Sequence, residues 1–352
     1  MDKGNYFVWL AENTQSGWNN DSAVISQIDN AVSKGAVGAT SNPPLSYEAL
    51  TLEQSGGRGL YSEELKGLDR DCDGDEFAMR AMGLVIKRIS EHFLPMHEKR
   101  GTFFGSVRAQ VAPNLRHDAE GMLGAGLRLS KINKNVMVKI PGTKAGIATL
   151  EELTARGVPT NPTVIATVSQ AVAAAEAFER GCDRAAKSGA GPAWSTCAIV
   201  MGRAQDYFAN LNKERGLGLS VSDLDWAVLA IMKRCYEIFM KRGYRSVLMP
   251  AAFRSARQVE QLSGARVLST IHPKIQAEVE RLDNETGMQR VCLIDSPPDM
   301  AAVKLVAAAL PEFSEAYEEG ALTPEQFDGY GAVVMTLDTF DREGWQKLIT
   351  LK

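Results

Sequence analysis

Eight short apolar runs alternate with longer stretches of helical periodicity, and no feature constrains the fold of this chain more. The runs are Tyr6–Leu10, Ala36–Thr40, Phe103–Val111, Asn135–Ile140, Val158–Asn161, Thr196–Met201, Ser246–Met249 and Arg266–Ser269. Strand-like runs separated by helices argue for βα units and a parallel sheet. Eight is the number at which such a sheet closes on itself around a side-chain-filled interior. The expected class is therefore α/β, a (β/α)8 barrel. The helices carry readable ends. Ile147, Leu150 and Leu153 share a face that Gly157 terminates, and Ser222 with Asp225 resembles a capping box on a helix that Gly243 ends. No Pro/Ser/Gly linker divides residues 1–352, which predicts one domain. The length beyond a minimal barrel falls at residues 46–76 and in C-terminal helices from about Asp299 onward.

Composition excludes several classes. Lys and Arg number 39 against 43 Asp and Glu, a net charge of -4 that gives no basic footprint for a nucleic acid. The start, MDKGNYFVWL, lacks the basic region and long apolar run of a signal peptide, and no run of 18 apolar residues would span a membrane. Five scattered cysteines, an odd number, argue against a disulfide framework and for a reducing cytoplasm. Asp69 to Gly74 imitates the start of a calcium loop, but Arg80 stands where the bidentate Glu is required. His92 and His97 are five residues apart, off the spacing of one helical face, so no metal site is expected. Lys187 to Pro192 is glycine-rich without the Lys-Ser/Thr ending of a phosphate loop. His272, after the eighth run, suits a structural role as well as a functional one.

The chemistry concentrates in Asn135-Val-Met-Val-Lys139-Ile-Pro-Gly-Thr143. Alternate residues of a strand share a face, so Met137 and Lys139 point one way and Val136, Val138 and Ile140 the other. The aliphatic set suits the outer helices and the mixed set suits the barrel interior. Lys139 then lies inside, near the C-terminal strand end where barrel enzymes hold their active sites. Partial desolvation there lowers an amine's pKa and frees it to attack a carbonyl. By itself such a lysine reads more readily as a solvated strand end, since lysine is common and usually exposed.

Three motifs decide between these readings. Residues 135–143, followed by KAGIATLEELTARGVPTNPT, resemble the transaldolases, whose Schiff-base lysine precedes Ile-Pro and whose next strand ends in Asn-x-Thr. Gly38-Ala-Thr40-Ser-Asn42-Pro-Pro-Leu45 is similar to that family's turn after strand two, and Met249-Pro-Ala-Ala-Phe-Arg254 to its segment after strand seven. The resemblance runs in order over nearly the whole chain. It implies a transaldolase that uses Lys139 to pass a dihydroxyacetone unit between sugar phosphates, without metal or cofactor. It further implies that Thr40, Asn42 and Asn161 hold the donor, that Thr163 helps hold a water, and that Arg203 and Arg254 bind the phosphate. A cytoplasmic homodimer is the implied state.

Three departures qualify the resemblance. Most of the family carries Glu where Gln110 stands, whereas the related fructose-6-phosphate aldolases carry Gln, which orients a water but does not titrate. An Asp follows strand one in the family as the proton acceptor for carbon–carbon cleavage, and matching that strand to Phe7–Asn13 puts Ala11 there. Glu12 is then the expected substitute, or else an exposed loop glutamate. Ala198 and Ala252 replace serines of the phosphate site. Two alternatives accordingly stay open: an aldolase that releases the three-carbon unit, and a non-catalytic barrel that only binds a sugar phosphate.

Overall fold

The computed structural model describes residues 4–52 and 59–352. Among these, eight parallel strands form the centre: β1 (Gly17–Asn20), β2 (Gly38–Thr40), β3 (Ser106–Gln110), β4 (Val136–Pro141), β5 (Thr160–Thr163), β6 (Thr196–Val200), β7 (Val247–Ala251) and β8 (Leu268–Ile271). Six pair continuously in the order β5-β4-β3-β2-β1-β8, and β6 pairs with β7. Parallel bridges from Thr160 to Ser195, Ile165 to Ile199 and Leu248 to Val267 join the two sheets on both sides. The ring is thus closed in sequence order, the (β/α)8 architecture that the alternation predicts.

Side-chain alternation sorts each strand into two faces. Val107, Ala109, Val136, Val138, Ile140, Cys197 and Ile199 point outward into the apolar layer shared with the helices. Burying each larger aliphatic side chain there contributes about 1.5–3 kcal/mol before entropy is charged against it. Asn19, Thr40, Arg108, Gln110, Met137, Lys139, Asn161 and Thr270 take the opposite face and line the interior, all nine-tenths or more buried. The expected helix ends at residue 157 hold: the helix Lys144–Ala155 buries Ile147, Leu150 and Leu153, and Gly157 follows at φ 74°.

Two expectations need correction. Tyr6–Leu10 is not a strand but lies in a helix, Tyr6–Asn13, capped by Asn5, whose Oδ1 accepts from the Phe7 amide at 2.8 Å. A short apolar run is ambiguous between strand and helix. Here Tyr6, Phe7 and Leu10 fall on one helical face and are buried, with the Phe7 ring 4.6 Å from that of Trp18. The true first strand, Gly-Trp-Asn-Asn, is mostly polar and so lacks the apolar signature. The capping box also lies two residues earlier than expected, on Ser220 and Asp223. Ser222 and Asp225 sit inside the helix Val221–Arg242, which ends at Gly243 as predicted.

The C-terminal helices return to the barrel. The helix Gly331–Phe340 runs into a π-helical turn, Asp341–Trp345, where Trp345 Nε1 donates to Asp75 at 2.6 Å. Gly344 packs against Pro43 and Pro44, so closely that a Cβ would lie 2.3 Å from Pro44 Cδ. That contact docks the tail over the end of β2. No helix among the described residues is long and apolar enough to cross a membrane.

Candidate active site

Lys139 is the penultimate inward position of β4, beside Gln110 of β3 and Asn161 of β5. It is only 6% exposed, and its Nζ donates to the Ser41 carbonyl at 3.4 Å. Burial pulls its pKa down to about 8. Asp21 opposes that shift, and Arg203 and Arg108 reinforce it. An amine so placed keeps an appreciable neutral fraction near pH 7, as a nucleophile requires.

An aspartate stands at the end of the first strand. Asp21 immediately follows β1, held there by its amide donating to the Ile271 carbonyl at 3.1 Å. Its Oδ1 accepts from Thr40 Oγ1 at 2.5 Å, and Thr40 Oγ1 is 2.7 Å from Thr270 Oγ1. Its charge is felt by both Lys139 and Arg203. Glu12, by contrast, is exposed on the Tyr6–Asn13 helix. It lines a cleft with Gly17, Val37, Phe103 and Val247, at the N-terminal ends of the strands. Glu12 and Ala11 therefore lie at the barrel end opposite Lys139, and the expected recruitment of Glu12 does not hold. Tyr6–Leu10 is apolar yet helical, whereas the true first strand is mostly polar. No local periodicity marks Gly17–Asn20 as a strand; its pairing with β8 and β2 does.

Gln110 and Asn161 flank the lysine and are fully buried. Gln110 Oε1 and Asn161 Oδ1 have no protein hydrogen-bond partner, although Asn161 Nδ2 donates to the Thr196 carbonyl and hydroxyl. Buried acceptors are costly to leave unpaired, so both are suited to a substrate hydroxyl or a water. Thr163 ends β5, buried, and the next residue, Val164, has φ +55°. A β-branched residue in the left-handed region is strained. Gln170 braces the turn, with its Nε2 donating to the carbonyls of Gly142 (2.8 Å) and Val164 (3.3 Å). Asn42 caps the helix Pro43–Thr51, its Oδ1 accepting from the Leu45 amide at 2.9 Å. One lone pair of its oxygen is thereby used, and its amide nitrogen and second lone pair remain for a donor hydroxyl.

Two arginines occupy the strand ends across the barrel. Arg203 opens the helix Met201–Arg215 after β6. Burial and the neighbouring Arg254 push its pKa down. Arg254 follows β7 and is gripped by Asp206 through two contacts of 2.9 and 2.5 Å, with Nη1 also donating to the Ala252 carbonyl at 3.0 Å. Ala252 has φ +59°, and a Cβ on Gly202 would lie 1.8 Å from the Ala252 carbonyl oxygen. The close approach of these two strand ends therefore requires glycine at 202. Arg203 is the freer fork for a phosphate. One residue escaped the sequence reading. The Phe340 ring lies 6.0 Å from Lys139 Nζ and 5.6 Å from Arg203 Cζ, roofing the space between them. Nothing in the periodicity of its helix marks which side chain would reach the site.

Known proteins resemble this chain in sequence. Residues 19–321 match the family described as Transaldolase/Fructose-6-phosphate aldolase. A transaldolase from Thiobacillus denitrificans is 25% identical over 321 residues, covering 81% of this chain and 88% of its own. A transaldolase from Neisseria gonorrhoeae is 32% identical over 151 residues, 42% of each chain. The Transaldolase 1 of Streptomyces avermitilis is 32% identical over 160 residues, 44% of this chain and 41% of its own. A barrel with an interior lysine at the end of strand four, matched over most of its length, belongs to the transaldolase/fructose-6-phosphate aldolase family.

Proposed function

We propose that this chain is a transaldolase that carries a dihydroxyacetone unit on Lys139 between sugar phosphates. The observation that supports it most is the company of Lys139: Gln110 and Asn161 beside it in register, and an aspartate near enough to act on its charge. The neutral amine adds to the C2 carbonyl of a ketose phosphate, and the carbinolamine loses water to give an imine. Gln110 and Thr163 orient that water. The imine carries a proton; Asp21 takes the proton of the C4 hydroxyl, the C3–C4 bond breaks, and its electron pair passes into the protonated imine to leave a neutral enamine. The aldehyde product departs. An acceptor aldehyde then takes the enamine carbon and regains the proton, and hydrolysis frees Lys139. Asn161, Asn42 and Thr40 hold the donor, while Arg203 with Arg254 binds the phosphate as a planar, bidentate donor set.

Gln110 favours a second reading, cleavage without transfer, because a neutral amide beside the lysine supports a water-based relay. The non-catalytic reading rested on Ala11 and loses that support with Asp21 in place. Fructose 6-phosphate supplied with and without erythrose 4-phosphate tests all three. Product formation that depends on the acceptor supports transfer, acceptor-independent release supports cleavage, and inactivity under both conditions favours the non-catalytic alternative.

A further inference from the structure

One charged group inside the barrel has no part in the reaction as described. Arg108 is on β3, inward-facing, one inward position below Gln110, and 0% exposed. It pairs in register with Met137, as Gln110 does with Lys139. Its guanidinium reaches across β2: Nη1 donates to Asn19 Oδ1 at 3.2 Å and to the Ser106 carbonyl at 2.9 Å. Gly38 makes the passage, since a Cβ there would lie 2.7 Å from Asn19 Oδ1 and 3.0 Å from Arg108 Nη1. Nε and Nη2 have no protein partner, and Arg108 makes no ion pair among the described residues. A buried guanidinium without a carboxylate is expensive, and an apolar chain of similar volume would serve packing better. Such a cost points to use rather than to stability.

We propose that Arg108 is a positioning residue: a buried positive charge on the strand beside Lys139, one inward position below Gln110, that disfavours a second positive charge on that lysine. The charged groups facing Lys139 are Asp21 from the end of β1, Arg203 from the helix after β6, and Arg108 from β3. Asp21 favours the ammonium form, and the two arginines oppose it. Arg203 is to be engaged by substrate phosphate, which cancels its charge when the donor is bound. Arg108 is sealed from that anion and keeps its effect throughout the cycle. Burial lowers the Arg108 pKa to about 9, which still leaves it charged at neutral pH.

This inference rests on Lys139 being the nucleophile, and its test reads the amine directly. Acetic anhydride labelling of Lys139 across pH 6–10, quantified by peptide mass spectrometry, measures the neutral fraction without any turnover. Arg108→Met is expected to move the Lys139 midpoint upward, leaving measurably fewer neutral amines at pH 7. Its thermal midpoint should be equal or higher, because an unpaired buried charge is gone. Arg108→Lys should keep the wild-type midpoint. A merely structural arginine would lower stability and leave the midpoint alone. Arg108→Gln, whose amide can still donate to Asn19, repeats the neutral arm if the Met variant does not fold. An unchanged midpoint in a folded neutral variant overturns the proposal, as does failure of both neutral variants to fold. Borohydride trapping of dihydroxyacetone on wild-type Lys139 is run alongside, so that a failed nucleophile assignment is distinguished from a failed role for Arg108.

Discussion

Thr40 Oγ1 donates to Asp21 Oδ1 at 2.5 Å, tying the end of β2 to the end of β1 beside the lysine. The bond fixes one carboxylate oxygen and leaves the other for a substrate hydroxyl. Asp21→Asn should therefore remove the base while keeping the shape. General-base help is typically worth about 10²–10⁴-fold, and kcat should fall by that order. Adduct formation between dihydroxyacetone and Lys139 should survive, since it needs no C4 proton acceptor. Full turnover by Asp21→Asn, measured with a coupled assay, would sink the assignment.

The pH dependence follows from the lowered pKa of Lys139. Its neutral form is the reactant, and the folded protein places its titration near pH 8. The rate of imine formation should rise about tenfold per unit below that value and level off above it. Asp21 raises this pKa, so Asp21→Asn should shift the midpoint downward. A midpoint that stays near 10.5 would contradict the burial seen here.

Arg203 and Arg254 should separate by function. Asp206 already holds the Arg254 fork, whereas Arg203 faces the site under Phe340. Loss of one charged hydrogen-bonding partner costs about 1.5–3 kcal/mol. Arg203→Ala should raise KM for a phosphorylated donor by roughly 10–150-fold with a smaller change in kcat, because phosphate contacts persist into the transition state. Arg254→Ala should do less. Trapping of unphosphorylated dihydroxyacetone should be unaffected by either, and a large loss there would place the arginines in the chemistry instead.

Glu12→Gln should leave kcat and KM for fructose 6-phosphate within about twofold of wild type, since surface changes away from the site are usually small. A hundredfold loss would mean that the N-terminal helix reaches the active site in solution.

Much of this was legible in the chain itself. Period-two alternation put Lys139 on the same face as Met137, and the motifs shared with the transaldolases decided that this face is the barrel interior. The helix ends at Gly157 and Gly243 were readable because left-handed caps favour glycine locally. Strand one was not legible. Gly17–Asn20 has one large apolar residue, Trp18, because its other face meets the polar barrel interior and Asn20 serves the buried Gln276. Its status as a strand is conferred by pairing with Leu268–Ile271 and Ala39, residues far away in sequence. Asp21 thus became visible only through long-range hydrogen bonds, and with it the choice between Asp21 and Glu12. The roof of Phe340 and the buried charge of Arg108 belong to the same class. A side chain's type is written in the sequence, but its neighbours across the barrel, and hence its dielectric surroundings and its proton affinity, exist only once the ring has closed.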